Sequence, residues 1–384
     1  MRVLIVGAGP AGLTLALSLV RQGIVPEVVE RAPGLNTGGY VVGLQANGWD
    51  VAERLGILPA LRASALPSAD AVYRDATGRE LFRYREDRVR AVTQGKMMHV
   101  PRDVLVARLA EALAEEGIAP FFGRSVSALV DEGEQVCVTF SDGAQDRFDL
   151  VVGADGTRSR VRTLAFGPHA ESARPLGYLG AAWRMADAHH MDPPYEGYME
   201  VGRQAILYQS APGEISTLLC WRSDEGGPIS PEARHSLVRA AYAGTNPVLK
   251  RLIDGAVDWD AAWVDSLCQI EMPRWSSGRV VLTGDAAWSL SFLSGQGAAM
   301  AMAGGYLLAE ELGRLPMKAA LDAYEARLRP SISRVQKQAR ATARSYVPRS
   351  KAGLWFSRVL LPLFMSRLFL KLRARSLVEP SLID

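Results

Sequence analysis

Cysteine is scarce, with three in 384 residues at Cys137, Cys220 and Cys268. Odd in number and widely separated, they suggest neither a disulfide framework nor a metal-ligand spacing, and they fit a reducing cytoplasm. Histidine is also sparse, at five residues. The one adjacent pair, His189-His190, sits in a polar, proline-bounded stretch without a third ligand, so a solvated loop and no metal are expected. Neither sign of charge dominates: 44 Lys and Arg stand against 41 Asp and Glu, a net charge of +3. That balance gives no global field toward nucleic acid or an acidic surface. A charged leader with a long apolar helix and cleavage site is missing too, because the chain opens directly on Met1-Arg-Val-Leu-Ile-Val-Gly7. The apolar stretch 354–370 approaches the length of a membrane span, but Arg358, Pro362 and Arg367 interrupt it.

What the chain does have is apolar residues, 48% of the total over a length that exceeds one average core. Two intertwined domains are therefore expected. Val3 to Val6 reads as a strand buried on both faces of a parallel sheet. It runs into Gly7-Ala-Gly9-Pro10-Ala11-Gly12, a helical stretch follows, and Glu27-Val-Val-Glu30 reads as a second strand. In this setting Gly7 allows a tight turn, Gly9 a close backbone approach to a pyrophosphate, and Gly12 close packing of helix on strand. The helix N-terminus faces the phosphates, and Glu30, about 20 residues on, can accept hydrogen bonds from a ribose. These features do not separate NAD from FAD.

Two later motifs bear on that choice. Phe148-Asp-Leu-Val-Val-Gly-Ala-Asp155-Gly156-Thr-Arg-Ser-Arg is a buried strand ending in Asp-Gly with a cationic helix behind it. Val280-Val-Leu-Thr-Gly-Asp285 repeats the design, and Gly295-Gln296-Gly297-Ala298 then opens a small-residue helix. An acid at a strand's end can bind a hydroxyl-rich chain, and free amides at a helix start can stabilise negative charge. Ribityl and reduced flavin offer those two partners.

Together GAGPAG at 7–12, GADG at 153–156 and GDAA with GQG at 284–297 resemble the FAD-dependent aromatic hydroxylases, the class A flavoprotein monooxygenases. The resemblance implies an α/β fold: a Rossmann-like FAD-binding domain of the GR2 type, an inserted β-sheet substrate domain and C-terminal helices. It implies FAD-binding pieces at 1–70, 96–173 and 273–330, substrate pieces at 71–95 and 174–272, and a helical segment, 331–384, capping the substrate entrance. FAD would be held by Gly7, Gly9, Pro10, Ala11, Gly12, Glu30, Arg31, Arg102, Val126, Asp155, Gly156, Asp285, Gly295, Gly297 and Ala298. In that scheme Glu30 binds the adenosine ribose, Arg102 lies by the ribityl or pyrophosphate, and Gly295 to Ala298 face the pyrimidine edge. The chain departs from the family where Trp288 replaces a usual His and Phe292 a usual Pro; the second change removes a fixed φ from the loop.

Residues from about 70 to 95 read as a hairpin around Asp75-Ala-Thr-Gly78, and a second block from about 174 to 272 carries strand-like runs containing Trp183, Tyr208 and Trp221. Those three aromatics are candidates to contact an aromatic substrate, with plain sheet packing as the alternative. Helical spacing from 318 to 345 predicts a long helix kinked at Pro330. The following apolar segment is expected to pack across the substrate entrance rather than to lie in a membrane interface.

No second GxGxxG is present, so NADPH or NADH is expected to visit rather than reside. The implied reaction uses NAD(P)H and O2 to hydroxylate an aromatic or polyketide-like molecule through a flavin hydroperoxide, in a monomer or homodimer. Gly295, Gln296 and Gly297 then support the reacting flavin, while no dedicated base for the substrate is visible. The alternatives are a flavin-dependent reductase or dehydrogenase of a polyketide or polyprenyl substrate, and an FAD-binding scaffold without turnover.

Overall fold

The computed structural model describes the chain apart from residues 36–37, 39, 187–190, 256, 365–380 and 384. The His189-His190 pair and much of the apolar C-terminal stretch therefore lie outside the described residues.

Short aliphatic strands build a six-stranded sheet in the order Ser276–Ser277, Val280–Leu282, Leu150–Gly153, Val3–Val6, Pro26–Glu30, Phe121–Phe122. The first is antiparallel to its neighbour and the other pairings are parallel. The central strands, Val3–Val6 and Leu150–Gly153, are buried at every position, as parallel strands covered on both faces must be. Helix Pro10–Val20 packs against helix Gly297–Arg314 and helix Arg102–Glu115. The first of these contacts depends on Gly305, where a Cβ would lie 2.5 Å from the Ala11 carbonyl oxygen.

The second sheet collects two separated parts of the chain. Its order is Trp263–Ile270, Ala173–Ala182, Glu214–Arg222, Arg203–Ala211, Tyr195–Glu200, Ala71–Arg74, Glu80–Tyr84, with Arg184–Ala186 also pairing onto Glu214–Arg222. The early hairpin joins through a parallel pairing of Ala71–Arg74 with Tyr195–Glu200. Side chains on its strands alternate between two surroundings. Ile215, Leu219 and Trp221 pack toward helices Pro231–Ala241 and Pro247–Asp254, whereas Tyr195 and Tyr208 meet Val41 and Leu66. Two half-buried ion pairs tie the sheets together: Arg158 grips Asp265 with both terminal nitrogens (2.5 and 2.9 Å), and Arg184 reaches Asp103 at 2.9 Å.

The predicted long helix spans Met317–Tyr346 and contains Pro330. Helix Lys351–Phe364 follows and lies beside the edge strand Glu80–Tyr84, with Trp355 and Phe356 exposed. No described helix is long and apolar enough to cross a membrane. Residues 381–383 depart from the expectation of a helical cap: Leu382 donates its amide to Asn47 Oδ1 (2.7 Å), its carbonyl accepts from Arg327, and Ile383 is buried. The end of the chain is thus anchored on helix Asn47–Arg54, beside the first sheet.

Candidate functional site

The carboxyl ends of the parallel strands converge on one crevice, the place where doubly wound sheets bind ligands. At Gly7 the backbone takes φ +112°, and a Cβ there would meet the Ala154 carbonyl oxygen at 2.5 Å. At Gly12 a Cβ would sit 2.0 Å from the Gly7 carbonyl oxygen. Gly9 differs, because nothing lies within 4 Å of a Cβ built on it. Two of the glycines are thus demanded by the protein's own packing, and the third leaves room beside the backbone. Gly9 caps helix Pro10–Val20 without a side-chain partner and Pro10 has no amide, so the Ala11 and Gly12 amides open the helix toward that room. An anion fits there.

Glu30 stands at the end of its strand and braces the turn. Its carboxylate accepts from the Ala8 amide and the Ala32 amide, each at 2.9 Å. Each oxygen keeps a second lone pair for a ribose hydroxyl. Arg31 is exposed, while Val126 is a buried core residue that can offer only main chain to a ligand. Asp155 holds local structure together. It accepts from Ser159 Oγ, the Arg160 amide (2.6 Å) and the Val161 amide (3.1 Å), fixing the start of helix Arg160–Phe166. Burial pushes its carboxyl above the ordinary value, against those hydrogen bonds. Behind it, fully buried Arg162 donates to the Ala286 carbonyl oxygen (2.8 Å), linking this motif to the segment after Asp285.

Asp285 presents accessible surface and yet is enclosed by protein, the signature of a side chain at the bottom of a concavity. Burial raises its pKa, and the charge of Arg102 opposes that shift. Arg102 opens helix Arg102–Glu115 and its guanidinium makes no hydrogen bond or ion pair among the described residues, leaving it available to a phosphate. Gly284 (φ +60°) brings the backbone within reach of Ala11, where a Cβ would be 2.7 Å from that methyl. The Gly295-Gln296-Gly297 turn starts the 18-residue helix Gly297–Arg314, whose first amides have no side-chain cap. Arg102, Ala11 and the 284–285 turn, from distant parts of the chain, are thus brought close together.

The two departures from the family pattern have separate outcomes. Trp288 points into the core, 4.3 Å from the Trp275 ring, and a Cβ on Gly304 would come within 2.7 Å of it. Phe292 instead joins Tyr40 and Trp263 at ring separations of 5.6 to 6.3 Å. The preceding Ser291 has φ +66° and ψ +150°, a region nearly reserved for glycine, and its hydroxyl is buried without a partner.

Near the Gly-Gln-Gly turn, two groups of aromatic side chains gather. Strands Val41–Gln45 and Met97–Pro101 pair Gly43 with His99. Gly43 lies against the Gly295 carbonyl oxygen, and His99 lies by Tyr195 and Tyr208 at 5.6 and 6.4 Å. Burial lowers the His99 pKa and raises those of both tyrosines, Tyr195 to about 12, so all three are neutral near pH 7. Tyr208 therefore lies on the face of the second sheet that meets His99. Trp183 and Trp221 do not: in the cluster on the opposite face, Trp183 packs at a tilt against Trp259 and Trp221 edge-on against Tyr242. For both, the sheet-packing alternative describes their surroundings. Sequence reasoning missed Tyr40, His99 and Trp263, whose approach depends on pairings between distant segments.

The family model of an FAD binding domain matches residues 1–339. The chain belongs to that FAD-binding family. An uncharacterised protein of Mycobacterium tuberculosis, Rv1260, is 34% identical over 84% of this chain and 86% of its own. A flavin-dependent monooxygenase of an unknown prokaryotic organism is 27% identical, with 81% of each chain covered. The fold is shared with tetracycline destructase Tet(51) (TM-score 0.80, 23% identity, 99% of each chain). It is also shared with Klebsiella pneumoniae HpxO solved with FAD and uric acid (TM-score 0.81, 22% identity, 98% and 96%). The protein is an FAD-dependent enzyme of the monooxygenase type, with a mixed α/β fold. The crevice suits the cofactor: room and amides at Gly9, an acid at Glu30, and at Asp285 an acid within reach of the Arg102 charge.

Proposed function

We propose that this enzyme uses NAD(P)H and O2 to hydroxylate an aromatic or polyketide-like small molecule held beside the aromatic side chains near the Gly295-Gln296-Gly297 turn. The observation that carries the proposal is the pair of aromatic clusters near that turn, Tyr40 with Trp263 and Phe292, and His99 with Tyr195 and Tyr208. Flat aromatic surfaces favour a planar substrate by stacking and edge contacts. FAD, when bound, supplies the oxygen-activating chemistry that no side chain here can provide.

The protein's part is orientation, exclusion of water and placement of charge. Amides at the start of helix Gly297–Arg314 favour negative charge at the reactive end of the crevice. Neutral His99 can accept a proton or hydrogen bond from a phenolic substrate, and Tyr208 can orient it. Relatives include the 6-hydroxynicotinate 3-monooxygenase of Pseudomonas fluorescens, 28% identical, whose name describes a hydroxylated heteroaromatic substrate. That likeness supports a planar, electron-rich ring as the substrate class. The test is NAD(P)H consumption by the FAD-loaded enzyme over a panel of polycyclic phenols and polyketides. Stimulation by a ligand together with an oxygenated product is expected. Ligand-independent consumption throughout the panel would remove the assignment.

A further inference from the structure

Away from the crevice, a cavity of about 490 Å³ opens beside the C-terminal end of the long helix. Its volume falls within the range of small-molecule sites, roughly 300–1,000 Å³. Four guanidinium groups line it, from Arg174, Arg222, Arg340 and Arg349, against one carboxylate, Asp224. Arg174 and Arg340 share Glu271 just outside the lining, so two of the four charges are partly balanced. The other two form no ion pair with a carboxylate among the described residues. Arg349 is exposed and makes no ion pair or hydrogen bond among the described residues. Arg222 donates one terminal nitrogen to the Val347 carbonyl oxygen (2.7 Å) and lies over the Tyr178 ring, but its Nε is buried without an acceptor. An orphaned buried guanidinium donor among like charges is costly unless an anion completes it.

We propose that this cavity binds the pyrophosphate of a nucleotide. Guanidinium forks match phosphate oxygens two at a time, and several converging forks select a polyanion over a single carboxylate. The cavity also communicates with the flavin loop: its Tyr178 and Ala343 pack in one apolar cluster with Leu293, which lies between Ser291 and Gly295. A ligand here presses on the segment that supports the reactive end of the crevice. The reducing dinucleotide is one source of such a pyrophosphate, and in that form the proposal rests on the NAD(P)H reading above; a nucleoside diphosphate is the other.

The experiment is calorimetric titration of the full-length, FAD-loaded protein with inorganic pyrophosphate, ADP and NADPH, at low and high salt. Each should bind, and binding should weaken as salt screens the arginines. Arg349→Glu, which removes no hydrogen bond, should weaken pyrophosphate and ADP by about ten-fold or more, with the flavin absorbance spectrum unchanged. Arg222→Gln should do the same. If NADPH is the physiological source, its KM rises in both variants while kcat holds. If ADP and pyrophosphate weaken but the NADPH KM does not move, the site belongs to a second nucleotide. Wild-type protein that binds none of the three, or variants that bind like wild type, would overturn the site. Failure of NADPH to reduce the wild-type flavin would instead sink the reductant reading and leave the calorimetry untouched.

Discussion

Gly9 and Gly12 stand three residues apart in one motif, yet the structure predicts opposite phenotypes for the same substitution. In Gly12→Ala the new methyl falls 2.0 Å from the Gly7 carbonyl oxygen and 3.3 Å from the Ala154 methyl. Ordinary contact begins near 3.4 Å, so backbone must move by more than 1 Å in the centre of the sheet. Overpacking of this kind costs about 1–3 kcal/mol. In Gly9→Ala the methyl meets nothing within 4 Å, and φ −85°, ψ −176° suits any residue. Loss of a favoured N-cap glycine and the reduced entropy of the unfolded chain each count for roughly 0.5–1 kcal/mol and oppose one another. Apoprotein stability should then change by less than about 0.5 kcal/mol. The methyl does occupy the room where a pyrophosphate would lie, so FAD affinity should fall by about ten-fold or more, near 1.4 kcal/mol. Urea unfolding of stripped protein and FAD titration by flavin fluorescence separate the two quantities. Gly9→Ala with wild-type FAD affinity would refute the placement of the pyrophosphate, and a destabilised Gly9→Ala apoprotein would refute the open space.

Burial raises the Asp285 pKa, so its ionisation opposes folding of the apoprotein as pH rises above the ordinary value near 3.8. Asp285→Asn should therefore stabilise stripped protein at pH 7 more than at pH 4, read by urea midpoints, and an equal gain at both would contradict the shift. His99 works in the opposite sense: its lowered pKa gives stability that is present above 6.5 and is lost as pH falls toward the folded value. His99→Gln should flatten that acid limb as pH falls below about 6.5, and an unchanged limb would count against the buried, neutral ring. Finally, Gly304→Ala should cost about 1–3 kcal/mol through contact with Trp288, and Trp288→His in the same chain should recover part of it. Strict additivity of the two changes would show that they do not touch.

The first sheet was legible because its signals are local. Val3–Val6, the glycines after it and Glu30 form one continuous unit, and the strands ending at Gly153 and Leu282 repeat its pattern. Asp155 carried the same signal but commits its oxygens to the helix after it, because Ser159 and the following amides lie closer than any distant group. The aromatic clusters near the turn were less legible. Tyr208 joins one of them while Trp221 does not, and the difference is set by register in a sheet whose neighbours come from 71–84 and 173–270. Alternation in the sequence cannot name a face when both faces are covered by protein. Tyr40 and Trp263 meet across more than two hundred residues, so no window along the chain contains their contact.

The central claim is tested most directly by supplying isotopically labelled dioxygen to FAD-loaded enzyme with NADPH and a planar phenolic ligand, and weighing the product. One labelled oxygen atom in the product, formed in proportion to NADPH consumed, is the predicted result. Hydrogen peroxide as the sole oxygen product with every ligand, or reduction of the ligand without label, would contradict it.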